Sequence, residues 1–156
     1  MFQVDKFLCC VNLEKGCKII GWFNYVYYLL LLWISLFFLF YEVFALFFGI
    51  GKLKFFIVCI INIAYSAASK FIYKKFLDEL GNLDKTVVIW PIFHLFFSII
   101  TTFLYTTIVL FVLGATSDVV YVLVISVFEI INIYCLIMLW SLYKKFQNGM
   151  PLTNEV

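Results

Sequence analysis

Glu129 and His94 are the side chains best able to carry a proton here, and both sit inside long apolar runs. Ser98, Thr102 and Thr106 follow His94 at four-residue intervals, a spacing that puts all four on one face of a helix. Asn62, Ser66 and Ser69 share a face in the same way, and Glu129 and Asn132, three residues apart, share another. Two chemistries fit these stripes. As structure, serine, threonine and asparagine tie helices together where apolar packing has no hydrophobic drive, each bond contributing about 0.6 kcal/mol on average, with Glu129 a buried acid bonded to a neighbour. As function, Glu129 and His94 are stations of a proton or ion route, because ionisable groups inside a bilayer are costly and usually serve a purpose. The structural reading is preferred.

A second chemistry-bearing stretch is "CCVNLEKGCKIIGW", residues 9–22, where paired cysteines and two lysines precede a long apolar run. Cys9 and Cys10 are candidates for S-palmitoylation, the usual fate of cysteines just outside a membrane helix, and Cys17 is a weaker one. Ordinary reduced thiols are the equal alternative. Disulfides do not fit a reading that puts three of the five cysteines in a reducing compartment and Cys59 and Cys135 inside helices. A metal is not expected either, since there is no CxxC pair and the single histidine lies far along the chain.

The elements that must position these residues follow from composition. Of the 156 residues 66% are hydrophobic and only 13% charged, against roughly 25% charged in soluble domains. No water-soluble fold of this length hides so much apolar surface, so the bilayer is the first partner. Four segments, 19–41, 55–73, 87–111 and 119–143, reach the length of about 20 helical residues that a hydrocarbon core demands. Backbone groups in lipid must be paired within their own segment, and these runs are twice as long as barrel strands. The expectation is an all-α protein, an integral membrane four-helix bundle forming a single domain over 1–156. "EVFALFFGIGKLK", "KKFLDELGNLDKT" and "GATSD" read as the turns, although Glu42 alone interrupts the first run and that helix could overrun.

Lysine placement predicts orientation. The net charge of +2 comes from eleven lysines and no arginine. With the N-terminus in the cytosol only Lys52 and Lys54 lie on the far side, so both termini are expected to be cytosolic. "YKKF" occurs at 73–76 and again at 143–146, each time at a cytosolic helix end, as an aromatic and basic interface anchor. Counting inward at 1.5 Å per residue puts His94 and Ser66 about 10 Å deep, Asn62 and Asn132 about 16 Å, and Glu129 about 21 Å. The three stripes are therefore expected to face one another. A direct bond between Glu129 and His94 is not, since about 10 Å of depth separates them. Ala64 and Ala68 have small-xxx-small spacing, weak support for close helix packing. Pro91 is read as a first-turn proline marking the start of the third helix.

The cysteine pair with "KGCKIIGW", "WPIFHLFF" at the third helix and "LWSLYKKFQNG" at the end of the fourth resemble the lysosome-associated protein transmembrane family and its short insect tetraspan relatives. The resemblance implies four helices, cytosolic termini, no enzymatic activity and residence in endolysosomal or plasma membrane. Two departures stand out. The tail "QNGMPLTNEV" has no Pro-Pro-x-Tyr element of the kind that recruits ubiquitin ligases, and the link before the fourth helix is shorter.

Enzymatic chemistry has little to stand on: no paired carboxylates, no His-x-x-x-His, no glycine-rich phosphate loop, and no extramembrane segment large enough to house a pocket. No cofactor and no metal are implied. Without arginine or a basic extramembrane domain, nucleic acid is not an expected partner. A cleavable signal peptide is not expected, because the first apolar run starts late and is too long. No glycosylation sequon occurs, and "TNEV" is a poor match to a PDZ ligand. The function expected is that of a non-enzymatic tetraspan membrane protein acting as membrane organiser or adaptor for other membrane proteins, self-association included. The alternative is a small oligomeric channel or transporter subunit using the intramembrane polar seam.

Overall fold

A computed structural model describes residues 6–7, 11–49, 53–80, 85–113 and 119–148. Two minimal strands, β1 (Lys6–Phe7) and β2 (Val11–Asn12), pair antiparallel with Lys6 opposite Asn12 and Phe7 opposite Val11. Four helices make up nearly all of the rest: α1 (Leu13–Phe47), α2 (Leu53–Glu79), α3 (Lys85–Leu113) and α4 (Val119–Gln147). The protein is all-α, and each helix is long and apolar enough to cross a membrane. It is a multi-pass membrane protein.

Every helix extends past the segment that hydropathy marks out. The length rule measures the hydrocarbon crossing, not the point where the backbone stops being helical. α1 has 35 residues, about 52 Å at 1.5 Å per residue. It runs straight through Glu42, so the first half of the expected turn is helical; a single glutamate is a good helix former. The helix stops at Phe48 and Gly49 instead, where Gly49 takes φ 73° and its N–H bonds the Leu46 carbonyl at 3.0 Å. That left-handed cap is open to glycine without steric cost. Of the expected second turn, α2 takes residues up to Glu79 and α3 begins at Lys85. The third, "GATSD", lies outside the described residues, as do residues 50–52 and the chain from 149 onward.

One correction concerns Pro91. Because α3 starts at Lys85, this proline stands in the second turn, not the first, and is buried there. It removes the N–H that would otherwise reach the Val87 carbonyl.

The chain divides into two units, Ile19–Asp78 on one hand and Met1–Lys18 with Glu79–Val156 on the other. In the first, α1 and α2 approach at Gly21, where an added Cβ would come within 2.9 Å of the Phe76 ring and of Leu77 Cδ2. Further along, the Tyr28 ring stacks on Tyr73 with centroids 5.9 Å apart and meets Tyr65 edge-on at the same distance. In the second unit α3 packs along α4. Val88 and Leu95 of α3 and Met138, Leu139 and Leu142 of α4 are fully buried. The start of α1 joins them through Cys17, whose thiol lies 3.7 Å from the Met138 carbonyl.

Candidate intramembrane polar site

Several polar side chains in these helices turn back on their own backbone. Asn24 Nδ2 donates to the Ile20 carbonyl at 2.9 Å, Ser69 to Tyr65 at 2.7 Å and Ser141 to Ile137 at 2.9 Å. Thr101 is shared between the carbonyls of Phe97 and Ser98, both at 2.9 Å, and Thr107 reaches Phe103 at 2.8 Å. A hydroxyl or amide that bonds the carbonyl one turn back has satisfied one donor before any second helix arrives. Such groups are small and adaptable packing elements as much as interhelical ties.

The expected seam residues are placed unevenly. His94 on α3 and Ser66 on α2 are buried, as is Ser69 beside the latter. Ser98, Thr102, Glu129 and Asn132 are half-buried on α3 and α4, while Asn62 is exposed on α2. Thr102 and Glu129 are brought together across the α3–α4 pair. Both Glu129 carboxyl oxygens are shut off from solvent, and among the described residues neither has a hydrogen bond of regular geometry. A buried carboxyl in that state is costly and calls for an explanation. Glu42 is similar in part: its Oε2 is buried without a partner among the described residues. Cys9, Cys10 and the Thr106 side chain lie outside the described residues. Cys17, Cys59 and Cys135 are free thiols, and among the described residues no group of three histidine, cysteine or acidic side chains gathers as a metal would need.

No family model, curated protein or solved structure matches the chain. Its chemistry has to be read from the geometry alone.

Several residues that matter to the packing were not singled out from the sequence. Leu13, Ile20, Asn24 and Tyr28 are all buried and, with Cys17, which the sequence offered only as a lipidation candidate and which is fully buried, recur at three- and four-residue intervals, a single stripe down α1. That period was available as a signal and was masked by the uniformly apolar background. Gly21 adjoins the stripe. Ser141, buried on α4, stands outside the polar stripes that spacing picks out in the sequence. In contrast, Ala64 and Ala68 are exposed on α2. Close approach of α1 and α2 uses Gly21 instead, because only a residue without a side chain admits the Phe76 ring.

The α3–α4 pair also carries an outward groove of about 710 Å³, lined by Ile89, Phe93, Phe96, Leu136, Ile137 and Trp140 among others. It is almost wholly apolar and brings no acidic or basic groups into convergence.

Proposed function

We propose that this chain is a non-enzymatic tetraspan protein that organises membrane or acts as an adaptor for other membrane proteins, further copies of itself included. One observation carries the reading: Asn62 is exposed on α2, within a span long and apolar enough to cross lipid. A primary amide facing hydrocarbon leaves its donors and acceptor unmet at a cost of kilocalories. A second transmembrane helix meets that need. Asn62 continues the face of Ser66, Ser69 and Tyr73, which are buried one to three turns further along. Large apolar side chains exposed on all four helices, Phe40, Ile61, Phe93 and Ile130 among them, supply the surrounding contact area. The test is a photo-crosslinking residue at position 62 in the full chain in native membranes. A discrete protein adduct is expected; lipid adducts alone would remove the support.

Lysine distribution supports cytosolic termini, and the quoted family resemblance supports residence in endolysosomal or plasma membrane and a bundle of the four helices. In this reading Cys9 and Cys10 are acylated, and acyl-exchange labelling drops in the Cys9→Ser, Cys10→Ser double variant. Protease added outside intact cells leaves both tails uncut.

The channel or transporter reading keeps one point in its favour, the Glu129 carboxyl without a regular hydrogen bond. Proteoliposomes separate the two. Proton flux abolished by Glu129→Gln would favour a conducting oligomer, whereas the adaptor reading expects no such flux.

A further inference from the structure

A smaller cavity, about 310 Å³, opens within the Ile19–Asp78 unit and is lined by Tyr25 and Leu32 of α1 and by Ala67, Lys70, Phe71 and Lys74 of α2. Its wall changes character along the helices. Lys70 and Lys74, one turn apart, share a face of α2 with Ala67 one turn deeper. Ala67 to Lys74 and Tyr25 to Leu32 each span about 10 Å of helix. The cavity is thus cationic toward the lysine-rich end of α2 and apolar toward mid-membrane, the profile of an amphiphile. Neither Lys70 nor Lys74 is paired with a carboxylate among the described residues. Lys70 is half-buried, whereas Lys74 and Lys75 are exposed, and of those two only Lys74 lines the cavity. A lysine that merely snorkels sends its ammonium outward to water along an unobstructed surface. Here two lysines line one volume, and no carboxylate lines it with them.

We propose that this cavity binds a single anionic glycerophospholipid of the phosphatidate type, its phosphate between the Lys70 and Lys74 ammonium groups and an acyl chain along Ala67 and Leu32. Two compact point charges suit a phosphomonoester, which carries about −1.5 to −2 near neutral pH. The volume lies at the low end of the range of about 300–1,000 Å³ for ligand sites, which favours a bare phosphate over a sugar-bearing head. Basic pockets between transmembrane helices are a recurrent means of holding such headgroups. The Tyr25 side chain lines the same wall with the two lysines, and Ala67 leaves the floor open.

The experiment is native mass spectrometry of the full chain in detergent, titrated with dioleoyl phosphatidate or with dioleoyl phosphatidylcholine, whose tails are identical. One phosphatidate per chain is expected to be retained at least tenfold more tightly than phosphatidylcholine. Lys70→Gln with Lys74→Gln removes that preference, Ala67→Phe weakens binding about tenfold by filling the floor, and Lys75→Gln leaves it unchanged. Circular dichroism checks that each variant stays helical. Equal binding of the two lipids, or retention of the preference without the two lysines, overturns the proposal. So does full binding by Ala67→Phe, which would mean surface attraction alone. Displacement of phosphatidate by millimolar inorganic phosphate would show a free-anion site and overturns it equally.

Discussion

Each helix has two unlike halves. Toward the lysine-rich ends lie all the buried helical side chains among the described residues: Leu13 to Tyr28 on α1, Ser66 to Phe76 on α2, Val87 to Leu95 on α3 and Cys135 to Leu142 on α4. Among the described side chains, the opposite halves contain no residue buried as a whole. They hold instead the most exposed apolar groups, with Phe37, Phe40 and Phe47 each more than 70% exposed. In water the phenylalanines would be inside. In lipid they gain nothing by leaving a medium as apolar as themselves, and what packs is what fits closely: Gly21, Asn24, Ser66, Ser69 and Ser141 beside a few rings and branched chains. Hydrophobicity locates these helices in the membrane, while small and polar residues decide where they touch.

The sharpest way to break this contrast is to remove a phenylalanine from each half. Phe76→Ala leaves a cavity and is expected to cost about 3 kcal/mol, the low end of the usual range because no transfer from water contributes. Phe40→Ala, whose ring is 74% exposed, should stay within about 0.5 kcal/mol. Reversible unfolding in mixed micelles measures both, and equal losses would show that the two halves do not differ. Next in size is Gly21→Leu, which drives a side chain into the fully buried Phe76 ring. Its cost of about 1–3 kcal/mol should appear in the same assay. Ser141→Ala should lose about 0.6 kcal/mol or less, since the hydroxyl bonds its own helix at Ile137. Smallest of all, Glu129→Gln keeps the shape and hydrogen-bonding capacity opposite Thr102 and is expected to be nearly neutral for stability. A loss above about 1 kcal/mol there would instead make Glu129 a packing centre of α3 and α4.

Four apolar runs and a shortage of charge were enough to read the helices, because lipid admits so few backbone solutions. Their ends were not legible: Glu42 looked like a boundary, yet a lone carboxylate does not terminate a helix, whereas Gly49 with its left-handed φ does. Polar residues were easy to find against this background, and their fate was not. Ser66 and Asn62 are one turn apart on one helix face, yet one is buried and the other exposed, since burial depends on how far along α2 its neighbours continue. The rotation of one helix against another is decided by side-chain fit at points such as Gly21 and Phe76, and no single-helix period encodes it. The cavity that holds Lys70 and Lys74 was hidden for the same reason: from sequence alone those lysines are indistinguishable from Lys75.

The length of α1 has a consequence for the membrane around it. A hydrocarbon core is about 30 Å thick, and a helix of 35 residues exceeds that by about 20 Å. Its sequence stays apolar well past the point where an upright helix would leave the core, so α1 must lean or draw thicker lipid around itself. Tilt and local thickening of the bilayer each carry a modest cost, fractions of a kcal/mol per Å of mismatch, that α1 imposes on whatever bilayer holds it.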